Sequence, residues 1–238
     1  MVNEKKYATV YLIPIPIAEE ALHTLPAEVS YHTEHIRHYF VENVRTARRF
    51  LRSLHAKLVI EDIAFSEIDK HTGVDKTVLQ AWLKEGLTIG IMSEAGCPGI
   101  ADPGAELVSM AQQANARVVP LTGPNSMMLA LMASGLNGQS FCFTGYIPVK
   151  DPFRTQRIKE LEATSVKQNQ TQIFIETPYR NDGLLADLLK HCHPKTRLCI
   201  AQNICAPEAF IKTKTVGDWH RQIPTLGKVP AVFLILGH

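Results

Sequence analysis

This chain has no run of the roughly 18 apolar residues that a membrane-crossing helix requires, although 45% of its 238 residues are hydrophobic. The N-terminal stretch sets two lysines ahead of an apolar segment. Prolines interrupt that segment and no small-residue cleavage site follows, so a first strand is expected there and a secretory leader is not. The five cysteines, Cys97, Cys142, Cys192, Cys199 and Cys205, are odd in number and include no Cys-x-x-Cys pair. That argues against a disulfide framework and a zinc ribbon, and it points to the cytoplasm. No metal site is expected at His32, His35 and His38, because histidines at a helix start need no metal, nor at His191, Cys192 and His193, whose adjacent side chains diverge. G-x-G-x-x-G, the P-loop and G-x-S-x-G are all missing, so the Rossmann-type nucleotide fold is not supported. Charge of one sign is missing too: the net charge of +2 neither demands nor excludes a nucleic-acid partner.

What the chain does have is a loop. Residues 93–104, SEAGCPGIADPG, follow the apolar run 87–92 and hold three glycines and two prolines. Inside a helix Gly costs about 1 kcal/mol and Pro about 3 kcal/mol, so the segment is there for its backbone path. Gly96, Gly99 and Gly104 permit positive φ and close approach of main chain to a ligand, while Pro98 and Pro103 stiffen the route. A strand leading into such a loop and then a helix is how open α/β sheets build small-molecule sites at their carboxyl ends.

The hydropathy periods around it predict an α/β protein. Strands are expected at 7–13, 57–63, 87–92, 117–119, 140–145, 171–176, 197–201, 210–215 and 229–237. Helices are expected at 75–86 and 105–115, after Asn125-Ser126, and along the stripe Leu184, Leu185, Leu188 and Leu189. Arg45, Arg48, Arg49 and Arg52 fall at i, i+3, i+4 and i+7, opposite an apolar stripe of Val44, Ala47, Leu51 and Leu54. Such a face suits RNA phosphates, which guanidinium groups hold bidentately, or it is simply solvated. The pattern breaks at 120–124, which sets the expected domains at 1–120 and 121–238. Lys150 and Arg154 follow a strand and a Pro-containing loop, where they could hold a phosphate or polarise a hydroxyl.

Residues 93–104 resemble the S-D-A-G-x-P-G-I-S-D-P-G loop of the ribosomal small-subunit RNA ribose 2′-O-methyltransferases, a branch of the tetrapyrrole methylase superfamily that uses S-adenosylmethionine. Glu94 stands for the first Asp and Ala101 for Ser. Further segments are similar in part. Residues 14–19 follow the family's P-T-P-I-G-N with three replacements, and Glu42-Asn43-Val44-Arg45 follows E-D-T-R. Residues 120–124 match P-x-x-G-P, the segment around Lys150 and Arg154 matches F-x-G-F-L-P-x-K…R, and 176–180 follow E-x-P-H-R with Tyr179 for His. Where the branch has R-E-L-T-K, this chain has Ala201-Gln-Asn-Ile-Cys205.

The resemblance implies two α/β domains with S-adenosylmethionine in the cleft between them, paired into a homodimer. It assigns cofactor contacts to Pro14 and Ile17, to Glu94, Gly96, Cys97, Gly99, Ile100 and Asp102 in the central loop, to Gly123, Pro124, Asn125 and Ser126, and to Glu176 and Thr177. Ribosomal RNA or the small subunit is the expected partner, with Arg45, Arg48, Arg49, Arg52, Lys150 and Arg154 on the substrate side. A ribose hydroxyl must lose a proton, and a general base contributes typically 10²–10⁴-fold; Glu42, Asp102 and Lys150, with Glu94, are the candidates. Two alternatives stay open. A tetrapyrrole or other small-molecule substrate is favoured by the replaced 202–205 motif and by a sequence that reaches His238 without the C-terminal helical segment many rRNA-branch members carry. A non-catalytic RNA-binding relative is favoured by Asn43, Glu94 and the same lost motif.

Overall fold

Among the described residues, 7–69 and 73–238 of the computed structural model, ten strands form two five-stranded sheets. Each sheet belongs to its own compact unit, Met1–Asn125 and Ser126–His238.

The first unit alternates strand and helix: β1 (Thr9–Leu12), α1 (Ala27–Thr33), β2 (His38–Val41), α2 (Val44–Leu54), β3 (Ala64–Glu67), α3 (Lys76–Lys84), β4 (Thr88–Met92), α4 (Ala105–Gln113) and β5 (Arg117–Pro120). The sheet order is β3-β2-β4-β1-β5 and every pairing is parallel. Parallel strands are buried on both faces and read as continuous apolar runs. In β2, Tyr39 and Val41 join Val29, Ala47, Phe50 and Leu51 from α1 and α2 in one core, while Phe40 turns to the other with Leu79, Leu107 and Ala111 from α3 and α4. Gly90 in β4 makes room for a large neighbour, since a Cβ there would lie 2.5 Å from the Tyr39 ring.

Two expectations are corrected here. The run 57–63 is not a strand: Ile60–Asp62 forms a 3₁₀ turn and the strand begins at Ala64. Ile60 and Ile63, three residues apart, both point into the first core, which suits a three-residue turn and not an alternating strand. The strand β2 lies instead in the basic segment that sequence marked only for its helix, because a four-residue strand with three successive buried residues gives no alternation to detect.

The second unit runs α5 (Ser126–Ser134), β6 (Phe141–Tyr146), α6 (Phe153–Gln168), β7 (Thr171–Glu176), α7 (Asn181–His191), β8 (Arg197–Gln202), β9 (Phe210–Thr215), α8 (Val216–Trp219) and β10 (Ala231–Leu236). Its order is β6-β7-β10-β8-β9; β6 and β7 are parallel and the other pairs antiparallel. Ile158 and Leu161 of α6, Leu184 and Leu188 of α7 and Trp219 of α8 close one core over Phe174 and Phe233. Because β10 opposes both neighbours, Ala231 sits across from Glu176 and from Gln202. The start of β10 therefore shares an edge with the ends of β7 and β8.

Candidate functional site

All five strands of the first sheet point the same way, so their carboxyl ends deliver loops 13–17, 42–43, 93–104 and 121–125 to one edge. The loops are knitted together by main chain. Gly96 N–H donates to Ile15 O and Ile15 N–H to Gly96 O, both at 2.9 Å. Cys97 Sγ lies 3.5 Å from Pro124 O and 3.8 Å from Gly123 O. Burial pushes the Cys97 thiol pKa up, so it is a neutral donor here and not a thiolate nucleophile.

Glycine is required at two of these joints. Gly96 has φ +72°, and a Cβ on it would reach 3.4 Å from Ile17 Cγ2 and 3.7 Å from Pro124 O, filling the space where the three loops meet. A Cβ on Gly123 would sit 2.1 Å from Pro14 Cβ, so Pro14 and Gly123 are in direct apposition. The central loop then folds on itself through Gly99 N–H to Pro103 O at 3.2 Å and Ser93 Oγ to Ala95 O at 3.0 Å. Pro14, Ile17, Gly96, Cys97, Gly123 and Pro124 are thus brought together, with Glu94, Gly99, Ile100, Asp102 and Asn125 on the same loops, while Ser126 opens α5 of the second unit. A backbone cradle of this kind fits a ligand that offers polar groups to N–H and C=O and needs little from side chains.

Glu42 reaches the loop from the end of β2: its Oε2 accepts the Glu94 N–H at 3.1 Å. Asn43 beside it is the N-cap of α2, accepting the Thr46 N–H at 3.0 Å. Asn and Asp cap equally well, so the change from the family's E-D-T-R leaves the helix start intact. The helix then presents Arg45, Arg48, Arg49 and Arg52 on an exposed face. The Arg48 guanidinium lies 5.5 Å from the Phe65 ring centre, and Arg52 lies 3.7 Å from Glu61.

In the second unit Lys150 is exposed, but Arg154 is not, which corrects its expected substrate role. Its side chain is 8% exposed and is held by Glu176, 3.5 Å away, and by Asp187, with Nε 2.5 Å from Oδ2. Glu176 is likewise occupied: its carboxylate accepts the Thr177 N–H at 2.7 Å and Arg180 Nε and Nη2 at 3.0 and 2.7 Å. Burial works to raise its pKa, yet the hydrogen bonds from Arg180 and Thr177 and the charges of Arg180 and Arg154 outweigh it, and the net shift is downward. The Glu176 side chain ties strand to helix and is not presented to a ligand. Gln202 is also internal, donating to Leu226 O at 2.8 Å. Sequence reading passed over Tyr146, Phe153 and Lys228 and marked Tyr179 only as the replacement for a family His; the available signal was bulky rings at strand ends beside Lys150 and Arg180.

An open parallel sheet whose carboxyl edge is built from Gly/Pro loops is a small-molecule-binding α/β architecture. The family model described as Tetrapyrrole (Corrin/Porphyrin) Methylases matches residues 16–219. The chain belongs to that family, and it is a methyltransferase. Among solved structures, the methyltransferase CobJ superposes with a TM-score of 0.62 at 18% identity, over 97% of this chain and 94% of that one. The uroporphyrin-III-C-methyltransferase of Thermus thermophilus gives 0.54 at 17% identity over 96% and 92%; both define the fold. Curated relatives carry the name ribosomal RNA small subunit methyltransferase I. The one from Escherichia coli O157:H7 is 29% identical over 96% of this chain and 77% of its own length. That from Neisseria meningitidis serogroup B is 30% identical over 88% and 68%. With the Vibrio cholerae protein identity is 38% over 63% of this chain, and the match spans about half, 49%, of that relative.

Proposed function

We propose that this protein is an S-adenosylmethionine-dependent methyltransferase acting on a ribose 2′-hydroxyl of small-subunit ribosomal RNA. The observation that carries the reading is the meeting of the 93–104 loop with Pro14–Ile17 and Gly123–Asn125 around Gly96; the names of the curated relatives support the substrate. When bound, S-adenosylmethionine supplies an electrophilic methyl group. The chain's part is to hold it: backbone of the central loop, with Pro14, Ile17, Gly123, Pro124 and Asn125. Orientation of this kind reaches effective molarities of roughly 10⁵–10⁸ M.

Proton removal falls to the carboxylates at the same edge. Glu42 is the first choice, because the Glu94 N–H fixes its carboxylate against the central loop; Asp102 and Glu94 are the other carboxylates, and Lys150, an amine in the second unit, is the remaining candidate base. The arginines of α2 and Lys150 meet RNA phosphate. Residues 1–120 and 121–238 serve as the two functional domains, in a cytoplasmic homodimer that engages the ribosomal RNA or small subunit.

The test offers labelled S-adenosylmethionine and purified protein to unmodified small subunits, to their free RNA and to a tetrapyrrole-containing extract. Label in a ribose of the subunit RNA is expected. Label in the extract alone moves the protein to small-molecule substrates, and cofactor binding with no label anywhere overturns the enzymatic reading.

A further inference from the structure

Three aromatic rings stand out from the edge of the second sheet where β6 and β7 end and β10 begins. Tyr146 closes β6 and is 59% exposed, Phe153 opens α6 and is 67% exposed, and Tyr179, in the turn Pro178–Arg180, is 78% exposed. The topology puts them together: Tyr146 is registered with Ile175 on β7, and Glu176 holds both Arg154, next to Phe153, and Arg180, next to Tyr179. Large exposed rings gathered in one place mark an interaction surface, whereas single ones need no explanation.

Cations accompany the rings. Lys228 Nζ lies 5.3 Å from the Tyr179 ring centre. Arg180 is near enough to Tyr146 to be influenced by its phenol, and Lys150 is exposed three residues before Phe153. The carboxylates at this edge are engaged by the chain itself, Glu176 in the interior and Asp151 and Asp182 at the surface. Glu176 is sealed beneath Arg180 and Arg154, Asp151 accepts the Thr155 hydroxyl at 2.7 Å, and Asp182 accepts the Leu226 and Gly227 N–H groups at 2.7 and 3.2 Å. The surface therefore offers π faces and three cations, Lys150, Arg180 and Lys228, against two exposed carboxylates that already accept hydrogen bonds from the chain.

We propose that this edge binds unpaired nucleotides of the RNA substrate, Tyr179 and Phe153 stacking on bases while Lys150, Arg180 and Lys228 meet backbone phosphates. The inference rests on the RNA reading of the preceding section. A duplex hides its base faces, whereas single strands expose them to aromatic platforms and bring the phosphates that the cations match. A second copy of the chain is disfavoured as occupant, since a two-fold contact would set these cations against themselves.

The test is fluorescence anisotropy with a short labelled single-stranded RNA, the same sequence annealed to its complement, and a carboxylated porphyrin as a third probe. Tyr179→Ala and Phe153→Ala should each weaken single-strand binding by about 5- to 150-fold, with a much smaller effect on the duplex, and Tyr179→Trp should retain affinity. Thermal melting checks that the variants fold. Unchanged single-strand affinity, equal weakening on duplex, an effect confined to the porphyrin or to S-adenosylmethionine, or conversion of a dimer to monomers in sedimentation would each overturn the proposal. Wild-type labelling of subunit RNA separates the two levels. If it fails, the functional reading falls; if it succeeds while the alanine variants bind and methylate normally, only the stacking edge falls.

Discussion

Substitution of Gly123 by alanine isolates the joint between the first and last loops of the site. Gly123 lies outside the left-handed region, so alanine meets no backbone penalty and its whole cost is one methyl group. That methyl would stand 2.1 Å from Pro14 Cβ and 2.4 Å from Pro14 Cγ. Carbons rest at about 3.5–4.0 Å, so one of the two chains must shift by more than about 1 Å. Pro14 has no rotamer with which to yield, because its ring is closed onto the backbone, and Ile15 behind it is pinned to Gly96 by two hydrogen bonds. Overpacking of this kind costs about 1–3 kcal/mol. At roughly 3–5 °C per kcal/mol for a unit of this size, Gly123→Ala should lower the melting temperature of the first unit by about 3–15 °C. It should also weaken S-adenosylmethionine binding about tenfold or more by displacing residues 14–17 from Gly96. Circular dichroism melts and calorimetric titration read the two effects. Gly138→Ala is the control, since a Cβ there meets nothing within 4 Å. Adding Pro14→Gly to the alanine variant should recover part of the loss as a coupling energy of about 1–2 kcal/mol. If Gly123→Ala melts and binds like the wild type, the close apposition of Pro14 and Gly123 is refuted.

Other outcomes follow from the same geometry. Glu42→Gln keeps an oxygen for the Glu94 N–H and removes only the base, so kcat should fall about 10²–10⁴-fold with cofactor affinity nearly unchanged; an unaltered kcat would transfer the role to another carboxylate. Arg154→Ala strips a buried ion pair from Glu176 and should destabilise the second unit by about 3–5 kcal/mol in urea unfolding, whereas a surface-like effect below about 0.5 kcal/mol would contradict its burial. The Glu176 carboxyl has its pKa held below the unfolded value of about 4.3, so the stability it confers is complete above that pH and is lost as pH falls through the folded value. Glu176→Gln should accordingly flatten the acid limb of the stability profile, and an unchanged limb would place the acid sensitivity elsewhere. Charge removal at Arg45, Arg48, Arg49 and Arg52 should weaken RNA binding and flatten its dependence on log salt by about 0.7–0.9 for each phosphate no longer neutralised; an unchanged slope would make that face a solvated one.

The central loop was readable from composition because its chemistry is local. Glycine and proline dictate backbone path wherever they stand, so residues 93–104 announce a ligand-binding turn before any neighbour is known. The arginine face of α2 was readable for a similar reason, since helical spacing alone decides which side chains share a side. Residues 171–176 and 210–215 were recovered to the residue as β7 and β9, the first from its apolar run and the second from its alternation. Where several long-range interactions compete, the local signal misleads. The run 57–63 has the β-branched content of a strand, yet burial of Ile60 and Ile63 in one core turns it into a 3₁₀ segment. The strand β2 carries no alternation because helices cover both its faces. Arg154 looks in sequence like Lys150, a cation after a strand, and only the approach of Glu176 and Asp187 from β7 and α7 makes it internal. The grouping of Tyr146, Phe153, Tyr179 and Lys228 depends on β10 entering the sheet antiparallel to β7, a pairing between segments more than fifty residues apart. Sequence by itself thus determined which segments bend, coil or carry charge, because those properties reside in single residues and their spacing. Tertiary structure alone decided which charges are buried and which rings share an edge, because both depend on what the rest of the chain brings alongside.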